Sequence, residues 1–557
     1  MISRTEAIAM LTGPGQPYEL ETVVQYGEPC RAFRHAPRSL RVLFEETRSA
    51  VPFVVYDAER YTFEEIWQTS SALASALVEE FGIRRGDRVA ISMRNYPEWI
   101  IAFEATTSIG AIAVAMNALW QPEEMEYGLK DSGARVLLAD QERLDRLALA
   151  DPIHGLGVIA VRTEGPLDAG IESFDALIAR HAGAPMPAAE IAPEDDATIF
   201  YTSGSTGHPK GVVSSHRSII SALFSWELDG RVAAVTAGVA IPEPQVQPAT
   251  LLAVPLFHAT GSHAVYLMSY RQQRRLICMY KWDVAKAAAL IESEQISSVV
   301  APSAMTGDLV AYAAREGRSL ETLATVGGGG AARAPEQVRR IEQTFAKALP
   351  NTGWGMTETN AIGTGIGGQD YLDHPASSGR ASAVVDLRIV DDAGNELPAG
   401  QRGELQVKGI SVFRGYWQRP DADAEAFVGR WLRTGDVAYL DTEGYLYIVD
   451  RIKDLVIRGG ENIGCGAVEA ALLEHPLVLE ASVYAVPDER LGEEVGATVY
   501  TAAPVSEHEL RDFLAPHLAA FEIPRYISFS SEPLPRTASG KILKRQLRDE
   551  ATRRLGV

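Results

Sequence analysis

The sequence predicts an α/β protein: a large N-terminal domain, 1–450, of layered α/β subdomains plus a small β subdomain, followed by a smaller α+β C-terminal domain, 451–557. Three observations lead there. The chain has 557 residues, whereas a single hydrophobic core stops growing at roughly 250–300. Short apolar, β-branched runs alternate with amphipathic helical stretches, the pattern of largely parallel sheets covered by helices. Between about 384 and 447 the pattern changes to short strands closed by turns, such as Asp392-Ala393-Gly394-Asn395 and Thr442-Glu443-Gly444. The break between domains falls near Asp450-Arg451-Ile452-Lys453-Asp454.

Each element has a local cause. An irregular N-terminal segment is expected before Thr62-Phe63-Glu64-Glu65, a capping box that opens a helix to about Glu80. Ile66, Leu73 and Leu77 fall on one face of it and supply a buried stripe. A strand at 88–93 follows, then a helix at 97–107 and a second strand at 135–139. Further strand-like runs stand at 157–161, 197–200, 251–254 and 298–301. The last long helix is expected to open at a second capping box, Ser506 to Glu509, with Val505 and Leu510 as its hydrophobic staple.

Composition narrows the function. The apolar fraction of 46% and charged fraction of 22% are those of a globular protein in water. A net charge of −21 and a pI near 5.1 disfavour a nucleic-acid partner, because phosphate backbones select basic surfaces. Cys30, Cys278 and Cys465 match no zinc spacing and fit a reducing compartment. The first residues carry no signal-peptide pattern. The most apolar window, 109–119, is too short to cross a bilayer and contains Asn117. A cytoplasmic protein without a transmembrane segment is expected, and a homodimer is left open.

The densest chemistry lies just after the strand-like run at 197–200. From Ser203 to Gly211, nine residues hold three hydroxyls (Ser203, Ser205, Thr206), three glycines (Gly204, Gly207, Gly211) and Lys210. Glycines let backbone approach an anion closely, and hydroxyls and lysine donate to phosphate oxygens. A plain turn needs no lysine and no repeated Ser-Gly and Thr-Gly pairs. The spacing also differs from the G-x-x-x-x-G-K-[ST] loop, since His208-Pro209 separates Gly207 from Lys210 and Gly211 follows it. Four other segments make unusual choices: Trp354-Gly355-Met356-Thr357-Glu358-Thr359, Arg433-Thr434-Gly435-Asp436, Asp450 to Asp454 leading into Arg458-Gly459-Gly460-Glu461-Asn462, and Pro535-Arg536-Thr537-Ala538-Ser539-Gly540-Lys541-Ile542.

In this order the five segments resemble the superfamily of adenylate-forming enzymes, and within it the acyl-CoA synthetases most. The resemblance runs from about 43 to 547. It implies an enzyme that uses ATP and Mg²⁺ to turn a carboxylic acid into an acyl-adenylate and then transfers the acyl group to coenzyme A. Thr202 to Lys210 would wrap the β- and γ-phosphates, Thr357 would hold the α-phosphate, and Glu358, with Thr202, would ligate Mg²⁺. Asp436 would accept from the ribose hydroxyls, with Arg451 assisting and Ile448 nearby. Gly329, Gly330 and Ala331 would border the adenine; Trp354, Gly355 and Met356 are further cofactor-binding positions, and Trp354 could wall the acyl pocket. Lys541 would be the principal catalytic lysine of adenylation. The C-terminal domain would be mobile, rotating about Lys453 between the two steps, and Gly459 and Gly460 would then line the pantetheine tunnel. His258, in Pro255-Leu256-Phe257-His258, would gate or orient between the acyl pocket and the thiol.

Several positions depart from the family pattern. Gly464-Cys465-Gly466-Ala467 lacks the usual proline, which should loosen that loop, and Glu522 stands where many relatives carry lysine. Acyl-pocket residues are expected from 258–262, 301–305, 327–330 and 353–354. No arginine or lysine lies within them, which disfavours a dicarboxylate or an amino acid and leaves a fatty, aryl-alkanoic or polycyclic acid. Transfer to a carrier protein, an amine or an internal hydroxyl remains the alternative to coenzyme A. A non-catalytic acyl-nucleotide binder is a third reading.

Overall fold

The computed structural model describes residues 2–202, 208–240, 244–329, 333–459, 461–537 and 540–555. Two large sheets make the N-terminal part. The first has eight strands; its centre, Asp196–Thr202, Ile112–Ala115, Arg88–Ser92, Val136–Asp140 and Gly157–Val161 in spatial order, is parallel throughout. The second has nine strands, with a parallel centre running Leu349–Thr352, Thr325–Gly328, Ser298–Ala301, Ala249–Leu252, Arg275–Cys278 and Pro52–Tyr56.

Strand alternation distributes the core. Val89 and Ile91 of the first sheet and Val54, Leu252 and Leu276 of the second enter one shared cluster, together with helices Phe63–Glu79 and Pro97–Ser108. The intervening residues face away: Ala90 and Leu137 into one outer cluster, Val55, Leu251 and Ile277 into another with helices Val284–Ser293 and Ser303–Glu316. Side chains of period two thus leave both sheets covered on both faces. Helix Pro97–Ser108 is buried at every residue, including the polar Glu98, Glu104, Thr106, Thr107 and Ser108, where a surface helix would bury one stripe.

A third, antiparallel sheet holds Val385–Val390, Gly403–Gly409, Trp431–Leu440 and Leu446–Arg451, the expected β subdomain. After a 3₁₀ turn, Ile452–Asp454, the chain enters a fourth sheet with its own core, in which Val456, Val468, Val483, Val499, Leu510 and Ile527 pack together. No described helix is long and apolar enough to cross a membrane.

Thr62 caps helix Phe63–Glu79 with the reciprocal Glu65 bond. Three expectations need correction. The N-terminal segment is regular: Ser3 and Glu6 form a capping box for helix Arg4–Thr12, and Leu20–Gln25 pairs with Glu28–Phe33. A strand, Ile112–Ala115, lies between the two strands read at 88–93 and 135–139; its four apolar residues sit inside a longer apolar window that masks them. The last long helix is Lys544–Leu555. Ser506 caps a shorter one, Glu507–Leu514, by accepting from the Glu509 amide, with Val505 and Leu510 sharing one cluster.

Candidate active site

The glycine-rich segment lies in sequence between two paired strands. Strand Asp196–Thr202 is antiparallel to Lys210–Ser215, with Thr202 opposite Lys210. Ser203, Gly204, Ser205, Thr206 and Gly207 lie outside the described residues, as do Gly330, Ala331 and Gly460. Thr202 Oγ1 donates to the Lys210 carbonyl at 3.4 Å, and the His208 ring stacks on Tyr127. The next strand outward, Gly415–Tyr416, sets Tyr416 opposite Val212. Lys210 Nζ lies 5.1 Å from the centre of the Tyr416 ring, and the Tyr416 hydroxyl donates to Glu358 Oε1 at 2.9 Å.

Glu358 sits in the 3₁₀ turn Thr357–Thr359, half a turn before Asn360 and Ala361, whose φ values are 56° and 64°. The fold-back passes over Gly355, where a Cβ would come within 2.5 Å of the Ala361 carbonyl; only glycine fits. The Glu358 carbonyl accepts from the Phe413 amide at 2.8 Å. This packing buries Glu358, and burial pushes its carboxyl above the usual range against the pull of Tyr416, Arg451 and Lys541.

Asp436 is aimed by register. It lies opposite Arg451 in the antiparallel pair, so the two side chains share a face, and Asp436 Oδ1 meets Arg451 Nε at 2.6 Å. A bulge between Arg433 and Val437 contains Gly435 at φ +70° and re-aims the strand there. Asp436 Oδ2 accepts from the indole Nε1 of Trp354 at 2.8 Å. Burial raises this carboxyl too, opposed first by Arg451. Ile448, opposite Ala438, is half-buried against the largest core.

Lys541 reaches this group from the C-terminal unit. Thr537 and Lys541 close a tight turn, with the Thr537 amide donating to the Lys541 carbonyl at 2.7 Å. Gly540, at φ +81°, faces Pro302 and Met305: a Cβ there would lie 3.5 Å from Pro302 Cγ and 3.4 Å from Met305 Cε. Lys541 is exposed, and the charges that act on it are those of Arg451, Asp436 and Glu358. Burial, then Arg451, push its ammonium below the usual lysine range, while Asp436 and Glu358 pull it back up. His258, packed on Phe257, is held down to about 4 by burial and by Lys541, so its ring is neutral near pH 7.

The structure thus gathers Lys541, His258, Glu358, Asp436, Arg451 and Trp354, with Lys210 joined through Tyr416. It places Gly459 elsewhere, opening the turn between the paired Arg458 and Glu461 on the fourth sheet, at φ +60°. Lys453 falls in the turn Ile452–Asp454. A Cβ added at Gly329 would lie 3.4 Å from Thr260 Cγ2, which brings together two of the expected acyl-pocket segments. Thr260 opens a π-helix, Thr260–Leu267, a wide turn that often marks functional sites.

Two expectations change here. The segment from Gly464 is ordered: Gly464 precedes helix Cys465–Leu473, and Cys465 Sγ donates to the Asp454 carbonyl at 3.1 Å. Gly464 and Gly466 lie against Val449, where Cβ atoms would come within 3.0 and 3.3 Å, so the glycines serve close packing. A cation does stand against the acyl-pocket segments. Arg333 is buried beside Gly328, its Nη2 bonded to Thr306 Oγ1 at 2.9 Å and its Nε and Nη1 without partners among the described residues. Sequence reasoning missed Arg333 and Tyr416. The one signal for Arg333 is a charge directly following a glycine-alanine run; the one for Tyr416 is the aromatic pair after Gly415. Glu522 accepts from the Ala519 amide at 2.9 Å, closing its own turn.

The donor set suits Mg²⁺. Among the described residues no cluster of three or more His, Cys, Asp or Glu forms a protein cage, and Mg²⁺ is commonly held by one or two carboxylates with phosphate and water oxygens. The desolvated Glu358 carboxylate offers one such ligand.

The chain matches the AMP-binding enzyme family over residues 44–417 and the AMP-binding enzyme C-terminal domain over 467–541. It belongs to the AMP-binding enzymes. It is a ligase of their acyl-CoA synthetase class, whose chemistry is acyl-adenylate formation followed by thioester formation with coenzyme A. A 2-succinylbenzoate–CoA ligase of Bacillus velezensis is 32% identical over 89% of this chain and 94% of its own length. The long-chain-fatty-acid–CoA ligase FadD13 of Mycobacterium tuberculosis is 32% identical over 88% and 93%. The o-succinylbenzoate CoA synthetase of Bacillus subtilis, solved with its acyl-adenylate OSB-AMP, superposes with a TM-score of 0.75 at 28% identity, covering 91% of this chain and 98% of that one. The same synthetase has been solved with ATP and magnesium ion.

Proposed function

We propose that the acid this chain activates is an aryl-bearing or fatty carboxylic acid, and that Lys541, Glu358, Asp436, Arg451 and Lys210 carry the adenylation step. The observation that supports the residue roles is the approach of Lys541, from the C-terminal unit, to Asp436, Glu358 and His258. The substrate reading draws on the relatives' acids and on the glycine-walled segment at 327–329 against Thr260.

In the first step a carboxylate oxygen forms a bond to the α-phosphorus, the bond to the bridging oxygen breaks, and pyrophosphate leaves. Lys541 meets the negative charge that gathers on the carboxylate and α-phosphate oxygens. Asp436 holds the ribose diol and Lys210 neutralises the departing pyrophosphate. Mg²⁺, when bound beside Glu358, supplies further neutralisation of the phosphates. In the second step the thiol sulfur of coenzyme A bonds to the acyl carbon, the carbon–oxygen bond to AMP breaks, and the thiol proton is released. His258, neutral at pH 7, orients the acyl carbonyl. The unit 451–557 turns about Lys453 between the steps. A panel of aryl, fatty and dicarboxylic acids, scored for AMP release that needs ATP, Mg²⁺ and coenzyme A, tests this; release with none of these acids would remove the substrate reading.

A further inference from the structure

We propose that Tyr416 is a positioning residue that holds Lys210 and Glu358 apart, seating the ammonium on its ring and the carboxylate on its hydroxyl. The inference rests on the reading of Lys210 as a phosphate group and Glu358 as a cation ligand. These two opposite charges lie on neighbouring elements, and among the described residues no ion pair joins them. A direct pair would spend both charges on each other. The tyrosine lies between them instead, with Lys210 Nζ 5.1 Å from the ring centre and Glu358 Oε1 2.9 Å from the hydroxyl. Its electron-rich face suits the cation, and its O–H suits the anion. Each charge keeps a fixed direction and spare capacity for ligand.

Tyr416 is itself held rigidly. Its amide donates to Asp423 Oδ1 at 2.7 Å, and its ring meets Phe413 edge-on at 4.9 Å. Val212 stands opposite it on the strand that begins with Lys210. The following Trp417 amide donates to the Gly211 carbonyl at 2.7 Å and its indole to the Asp131 carbonyl at 3.0 Å. The aromatic is therefore part of the same sheet edge as the strand that begins with Lys210.

Two variants separate its two contacts. Tyr416→Phe keeps the ring over Lys210 and removes the hydroxyl. The Mg²⁺ concentration giving half-maximal acid-dependent ATP–pyrophosphate exchange should rise about tenfold or more, the size expected for one lost charge-assisted hydrogen bond, while the KM for ATP at saturating Mg²⁺ stays within about twofold. Tyr416→Leu removes both contacts and should raise the KM for ATP as well. Calorimetric titration with ATP, with and without Mg²⁺, gives the same split without turnover: the gain in affinity from Mg²⁺ shrinks in Tyr416→Phe. Unchanged Mg²⁺ dependence in Tyr416→Phe overturns the proposal, and that variant decides alone if Tyr416→Leu melts early. A wild-type protein that shows no exchange with any acid overturns the assigned reaction, and the calorimetric split still reports on Tyr416.

Discussion

The indole N–H of Trp354 and the carboxylate of Asp436 meet at 2.8 Å. With Arg451 on the other oxygen, both oxygens of Asp436 are oriented, each with a lone pair to spare for the ribose proposed to bind there. Asp436 is thus a pre-set acceptor, held by one residue from the Trp354–Thr359 segment and one from the strand that leads to the C-terminal unit.

Trp354→Phe should keep the aromatic surface and lose this donor. A hydrogen bond to a charged group contributes about 1.5–3 kcal/mol, so the KM for ATP should rise roughly tenfold or more with a smaller change in kcat. Steady-state kinetics in ATP checks it; an unaltered KM would show that Asp436 is oriented without Trp354.

Lys541→Ala should remove the first step and spare the second. Loss of one preorganised donor at developing charge costs about 10²–10³ in rate, read as ATP–pyrophosphate exchange. Thioester formation from a supplied acyl-adenylate should stay near wild type. Gly459→Leu should do the reverse if that face accepts the thiol. Because Gly459 has φ +60° and its Cβ would lie 3.2 Å from Leu491 Cδ2, Gly459→Asn serves as the control for backbone strain.

The alkaline limb of the adenylation profile should fall at a pH below the ordinary lysine range. Burial and Arg451 lower the Lys541 pKa, so the charged form is lost earlier as pH rises. Replacing Arg451 with Met removes a like charge and should move the limb to higher pH. A shift to lower pH, or none, in the pH–rate profile would contradict the placement of Lys541 beside Arg451.

Arg333→Met should stabilise the fold. A buried guanidinium with two donors unpartnered among the described residues is costly, and apolar replacements of unsatisfied buried charge commonly gain about 1–3 kcal/mol. Thermal melting should show a higher Tm. A clear drop would mean that Arg333 meets an anion in solution, and dicarboxylic acids in the substrate panel are the first candidates.

What the sequence makes legible is what is encoded locally. Thr62 and Glu65 lie three residues apart, and the capping box needs nothing else. The segments around Glu358, Asp436 and Lys541 could be named because each carries an unusual residue type in a short context. Their meeting could not be read, since it depends on register: Asp436 faces Arg451 only through a bulge at Gly435. Tyr416 was invisible because its neighbour Val212 is distant in the chain and the edge pairing is only two residues long. The glycines near Gly464 read as looseness because sequence shows their freedom, whereas Val449 packed against them shows their use. Strand Ile112–Ala115 was hidden because a short apolar run carries no period of its own.

The return of the phosphate segment into strand Lys210–Ser215 bears on where its electric field comes from. A loop that opens into a helix borrows partial positive charge from the helix N-terminus. A loop that opens into a second strand has no such source, since strand dipoles nearly cancel. On the proposed role, the formal positive charge that segment 203–211 offers a polyphosphate is one ammonium, on a residue fixed by pairing to Thr202 and seated on Tyr416. A one-residue slip of that pairing would turn the ammonium to the opposite face of the sheet and put Gly211 in its place. The grip is therefore governed by strand register as much as by the glycines and hydroxyls that announce it.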